Sequence, residues 1–287
     1  MVARHRSRRL SALRLLFGDP LTTFAVTMLV LLVLAGTLGP LLPIGDPTAI
    51  GAGPRLAPPS LDFPLGTDEL GRSVLPRVVG GILVTFLVAA VAVLMTAILG
   101  VSIGLIAAYY GGRIDMVVAR VADILYAFPA IILGLMIASI LGPGNLSVIA
   151  VIVAATLPLF IRVVRSVALS VASREFVVAA EVAGASSVRI MLVHLLPNIA
   201  GAVIVQLTYA LSIGMLIESG LSFLGLGTQP PYPSLGSLLQ LGAAYLTIAP
   251  WLVFPPGIVL ALVILSVNLL GDGLRDALDP LEGRMLK

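Results

Sequence analysis

The chain has 287 residues, of which 59% are hydrophobic and only 11% charged, with a formal net charge of +3 and a mean hydropathy of +1.13. Soluble domains carry about 25% charged residues, so this composition excludes an ordinary water-soluble fold and belongs in a bilayer. With no cysteine, only His5 and His194 as histidines, and Lys287 as the single lysine, the chain has no disulfide framework, no thiolate chemistry and no lysine-bearing phosphate loop.

Arg4, Arg6, Arg8, Arg9 and Arg14 precede an uncharged run over 21–42. At about 1.5 Å per helical residue that run spans about 30 Å of hydrocarbon. Ser7-Arg8-Arg9 faintly resembles a twin-arginine leader, but the run is longer than a leader's apolar core of roughly 7 to 15 residues and no A-x-A site ends it. It is read as the first span, behind a basic segment 1–20. From 43 to 77 the chain is polar and broken by Pro43, Pro47, Pro54, Pro58, Pro59, Pro64 and Pro76, which marks a loop outside the membrane. Within it, residues from Leu65 to Leu75 (Leu-Gly-Thr-Asp-Glu-Leu-Gly-Arg-Ser-Val-Leu) predict a structured turn followed by an interfacial helix.

The second span lies in the uncharged stretch 78–112, which is too long for a straight crossing. Gly100 and Gly104 form a small-xxx-small pair suited to helix packing, and Gly111-Gly112 ends the helix. Asp115 with Arg120, or Arg120 with Asp123, is expected to pair at the membrane edge. A third span follows over about 124–141, with Pro129 expected to kink it. A fourth begins at Leu146 and continues as a helix past Arg162 and Arg165. The segment from Glu175 to Asn198 is a short helix ending near Gly184, with Phe176, Ala179, Ala180 and Ala183 on one face at i, i+3, i+4 and i+7. Small residues there permit close approach of another backbone, Phe176 offers an anchor, and Gly184 a tight turn.

Pro197 is suited to open the fifth span, about 200–221, because its missing N–H is not needed there. Residues 230–249 form a second outer loop containing a weakly amphipathic piece, with Tyr232, Tyr245 and Trp251 placed for the interface. The sixth span, about 251–270, contains Pro255, Pro256 and Asn268. The expected fold is thus all-α and polytopic, with six transmembrane helices over 21–271, an inner loop over 170–198 and a tail over 272–287.

An even number of spans puts both termini on one side. If that side is the cytoplasm, 14 of the 17 lysines and arginines are inside and only Arg55, Arg72 and Arg77 outside. The positive-inside rule therefore places Glu175 to Asn198 in the cytoplasm. Topology also accounts for the basic balance, leaving nucleic-acid binding without separate support.

Glu218 is the only acidic residue well inside an apolar run, with Ser212, Ser219 and Ser222 nearby. A carboxylate at such a depth is a functional-site candidate, so Glu218 and Ser222 are candidates for the translocation path, although Glu218 near the outer end of its span also has water or a partner subunit within reach. Glu175 and Glu181 are read either as solvated or as partner contacts. His194 is read as a structural, hydrogen-bonded group.

Several separated motifs between about Phe63 and Pro280 resemble one family. Leu65 to Leu75 resembles a GTDxLGRD-like signature, with Ser73 in place of its last aspartate. Glu175-Phe176-Val177-Val178-Ala179-Ala180-Glu181-Val182-Ala183-Gly184-Ala185 resembles the "EAA" loop, and His194-Leu195-Leu196-Pro197-Asn198 its H-x-L-P-N continuation. Leu221-Ser222-Phe223-Leu224-Gly225-Leu226-Gly227, and the end from Leu269 to Pro280, resemble two further signatures. The chain is similar to the C-type permease subunit of the dipeptide/oligopeptide/nickel ATP-binding-cassette importers.

That resemblance implies a type I importer transmembrane domain in a bacterial or archaeal cytoplasmic membrane, with no cofactor in this chain and ATP and magnesium held by others. Its implied partners are a second homologous permease, two ATP-binding subunits or one fused ATPase, and an extracytoplasmic substrate-binding protein. The EAA-like residues Glu175, Phe176, Ala179, Ala180, Glu181, Gly184 and Ala185 would contact the ATPase. Val178 stands where the family has its second glutamate, Glu181 where it has a basic residue, and Ala183 where it has leucine, so shape rather than charge carries the docking expectation. Peptides, nickel chelates, haem and glutathione are the implied solutes. The alternative class is an ion-coupled secondary transporter, supported only by Glu218.

Overall fold

The computed structural model describes residues 19–278. The basic segment with Arg4 to Arg14, and the chain from Asp279 onward, lie outside the described residues. Nine helices of eight residues or more occur among those described: α1 Pro20–Leu38, α2 Val74–Tyr110, α3 Gly112–Tyr126, α4 Ala130–Leu141, α5 Asn145–Ala172, α6 Glu175–Val182, α7 Leu196–Phe223, α8 Leu235–Ala243 and α9 Phe254–Leu278. Five stretches are long and apolar enough to cross a membrane, and the bent pair α3–α4 makes a sixth if it counts as one span.

The centre is the pair α2 and α5, with α7 packed on both; α9 lies on α7, α1 lies against α9 and α2, and α8 tucks beside α7. Gly100 and Gly104 explain how the central pair approaches so closely. A Cβ on Gly100 would lie 2.7 Å from Phe160 Cδ1, and one on Gly104 2.7 Å from Val164 Cγ1. In a span, where lipid is as apolar as leucine, such packing is a main source of helix association. Thr96 and Thr156 meet in the same interface, 3.0 Å apart. One hydroxyl donates to the other, which in turn donates to the carbonyl four residues back, Ala92 for Thr96 or Ile152 for Thr156.

Four expectations need correction. The third span is not one helix from 124 to 141: α3 and α4 meet at 90°, with Pro129 as the residue before α4, because its ring cannot follow the preceding turn. The charges on α3 do not pair with each other. Asp115 takes Arg165 through both its oxygens, and Asp123 takes Arg162 at 2.6 Å, since α5 runs alongside and brings arginines to the carboxylates. Pro197 does sit in the first turn of α7, as its missing N–H suits it to, but the fifth span starts earlier than 200. The helical run is continuous from Ser187 to Phe223, because Ile190–Leu195 turns in a π register that carries the chain into α7. Finally, no separate interfacial helix precedes the second span. Val74, Pro76 and Arg77 already belong to α2.

The 43–73 loop is held by buried charge rather than by strands. Asp68 Oδ1 accepts from the Leu70 and Arg72 N–H groups, each at 2.9 Å, and Oδ2 accepts from Arg72 Nε at 2.6 Å. Arg77 Nε lies 3.6 Å from the same oxygen, while its Nη1 donates to Pro47 O at 3.0 Å. Gly71, at φ +70°, is where any Cβ would strike Gly53 O, at 2.4 Å. At the exposed edge, the Thr48 hydroxyl and then its N–H donate to Asp46 and hold that carboxyl below its ordinary range.

Candidate coupling helix and buried carboxylate

α6 is a short helix whose ends are both accounted for locally. Arg174 precedes it in extended conformation and Glu175 sits in the first turn, where negative charge opposes the helix dipole. At the other end Gly184 has φ +81°, and the Ala185 N–H reaches back to Ala180 O at 3.0 Å while the Gly184 N–H reaches Glu181 O at 2.9 Å. This is a Schellman ending, which glycine adopts without the penalty of a Cβ.

Val177, 1% exposed, plugs α6 into the main core beside Val171, Ile190 and Leu195. Ala180 is half-buried, and Ala185 packs partly against the same core. Phe176 is half-exposed and leans toward the His194 ring, 6.3 Å between centroids. The Asn198 side-chain amide donates to the His194 carbonyl at 2.7 Å. The outward stripe is Glu175, Val178, Ala179 and Val182, with Val182 85% exposed. With Ser173 and Ala183 these residues line an open recess of about 530 Å³. Relative to the face inferred from spacing, the outward stripe is rotated: Ala179 belongs to both, Ala183 is exposed as the cap just past the helix, Phe176 and Ala180 sit at the flank, and Val178 and Val182 were missed. Only knowing that Val177 is the anchor shows which side faces out. Glu181 is exposed beside the stripe.

Glu218 lies near the far end of α7 and is 0% exposed. The Ser222 hydroxyl donates to Oε1 at 2.7 Å and the Ser219 hydroxyl to Oε2 at 3.2 Å, with Thr85 and Ser234 alongside. Thr85 Oγ1 accepts the Leu235 N–H at 3.1 Å, and Ser234 caps α8 in a reciprocal box with Ser237. Close packing completes the clasp, since a Cβ on Gly236 would lie 2.3 Å from Ser219 O. The carboxylate therefore gathers α2, α7 and the start of α8.

Apolar crossings and a central pair with tight glycine contacts define a polytopic membrane protein, with a short helix presented at the end of α5. The chain matches the family of binding-protein-dependent transport system inner membrane components over residues 100–283 and belongs to that family. It is a permease subunit of an ATP-driven importer, with a non-catalytic role. Among its relatives, a putative peptide transport system permease of Brucella suis is 42% identical over 255 residues, covering 89% of this chain and 86% of that one. The dipeptide transport system permease DppC of Alkalihalophilus pseudofirmus is 40% identical over 248 residues, 86% of this chain and 82% of the relative. The glutathione transport system permease GsiD of Escherichia coli is 39% identical over 222 residues, 77% of this chain and 73% of the relative.

Proposed function

We propose that this chain works as one of two permeases around a translocation path for peptides or a related small solute such as glutathione. Partner ATPases bind ATP and magnesium, and an extracytoplasmic binding protein delivers the solute. The observation that carries the coupling half of this reading is α6, a helix anchored by one buried valine and turning an apolar stripe outward at the end of a long spanning helix. An exposed stripe of this kind is costly in water and gains by docking into a groove. Both termini and α6 then face the cytoplasm, with the 43–73 loop and α8 on the binding-protein side. The names of the relatives support a peptide-class solute.

Glu175, Val178, Ala179, Val182 and Ala183 make the ATPase contact in this reading, while Phe176, Ala180, Glu181, Gly184 and Ala185 shape and seat the helix. Glu218 and Ser222 serve the path by holding its outer end rather than by touching the solute. The experiment is uptake by proteoliposomes containing the assembled complex. ATP-dependent uptake that needs the ATPase partners supports the reading, whereas uptake driven by an ion gradient alone overturns it in favour of a secondary transporter. Ala180→Trp and Gly184→Trp should insert normally yet separate ATP hydrolysis from uptake. Coupled activity retained in both would remove the docking assignment.

A further inference from the structure

α7 and α9 cross where Gly271 meets Thr208, so closely that a Cβ on Gly271 would lie 2.5 Å from Thr208 Oγ1. Beside that crossing opens a cavity of about 210 Å³ whose polar lining includes Gln206, Tyr209, Asn268, Asp272 and Arg275. Gln206 is only 9% exposed, and its amide has no hydrogen-bond partner among the described residues. The Asn268 amide and Tyr209 hydroxyl are likewise unpartnered there, and Asp272 and Arg275 enter no ion pair among the described residues. Tyr209, Asn268, Asp272 and Arg275 are exposed, so the polar wall is open to water or a ligand, whereas hydrocarbon against it would leave these groups unpaired. In the orientation proposed above, the cleft opens toward the cytoplasmic ends of α7 and α9, where a transported solute leaves the membrane.

We propose that the α7–α9 cleft is a water-accessible subsite for the backbone and termini of a transported peptide. The inference rests on the peptide reading above. The Gln206 and Asn268 amides each offer both a donor and an acceptor, which is what a peptide unit requires. Asp272 suits the free ammonium and Arg275 the free carboxylate, the latter as a planar pair of donors. Complete ligand pockets enclose about 300–1,000 Å³. The smaller cleft is therefore one wall of a site, and the second permease supplies the other.

The chain has no cysteine, so Asn268→Cys introduces its only thiol. In the assembled complex in nanodiscs, a charged methanethiosulfonate reagent should modify this chain at Asn268→Cys at least about tenfold faster than at Leu94→Cys, a position exposed on the apolar surface of α2, because only a hydrated thiol ionises readily. Binding protein, ATP and saturating Ala-Ala should slow the Asn268→Cys reaction several-fold. In uptake assays, Gln206→Leu should raise the KM for Ala-Ala about tenfold, the equivalent of roughly 1.4 kcal/mol of lost contact.

Labelling at Asn268→Cys as slow as at Leu94→Cys would mean that lipid or a partner helix fills the cleft, and would overturn the subsite. So would fast labelling that Ala-Ala leaves unchanged while the wild-type complex imports Ala-Ala, in which case the peptide reading survives alone. A wild-type complex that imports no dipeptide removes the peptide reading and the subsite together.

Discussion

At the scale of single residues, two carboxylates, Asp68 and Glu218, organise the half of the protein that holds the 43–73 loop and α8. Asp68 is the shared partner of Arg72 and Arg77, all three being buried. Removing one member of a buried ionic cluster strands the others, typically at a cost of about 3–5 kcal/mol. Asp68→Ala should therefore lower the midpoint of thermal unfolding in detergent sharply and expose the 43–73 loop to protease, whereas Glu69→Gln, at the rim of the cluster, should do far less. Similar losses in both would refute the central place of Asp68. Glu218 is the second case. Glu218→Leu leaves the Ser219 and Ser222 hydroxyls without their acceptor, a penalty of about 1–3 kcal/mol, while Glu218→Gln keeps one carbonyl oxygen for Ser222. The expected order of stability and of ATP-dependent uptake is wild type, then Gln, then Leu. Full uptake and an unchanged melting midpoint for the Leu variant would show that the clasp is dispensable.

At the scale of elements, the broken span explains why α5 carries arginines so far along its length. α3 turns away from α4 at 90° and is tied to α5 by Arg165 with Asp115 and by Arg162 with Asp123. Arg162 also lies over the Tyr126 ring, 5.0 Å from its centroid. Because α5 leads directly into α6, the coupling proposed for α6 would reach α3 through these pairs. Asp115→Arg and Arg165→Asp should each reduce ATP-coupled uptake several-fold, and the double exchange should restore much of it, since the pair is recreated with its sign reversed. Uptake that falls further in the double variant would exclude this linkage. Sequence periodicity saw each of these helices but paired the charges within α3, because neighbours on one helix are visible in a sequence and neighbours on two helices are not. The π turn at Ile190–Leu195 was hidden for a related reason. Its wider register is a response to Pro197 and to the seating of Ile190 and Leu195 in the core, and no local pattern announces it.

At the scale of the whole molecule, the exposed apolar residues are spread over every spanning helix, as expected of a chain that meets lipid. Orientation belongs to this scale as well. With the Glu175 side inside, a fluorescent protein fused after Lys287 should fold and fluoresce in cells, and alkaline phosphatase fused there should be inactive. The reverse pattern would invert the positive-inside assignment. Membrane residence, the order of the long apolar helices, the proline-rich 43–73 loop and the place of the α6 helix were legible in the sequence, because long apolar runs, prolines and glycines act locally or additively. Tertiary structure decided which face of α6 turns outward, which arginine meets which aspartate, that Glu218 is a clasp shared by three elements, and that Gln206 and Asn268 open onto one cleft. Each of these depends on residues distant in the chain being brought within a few ångströms. That proximity is set by how the helices cross, and their crossing is set by close contacts such as Gly100 with Phe160 and Gly271 with Thr208.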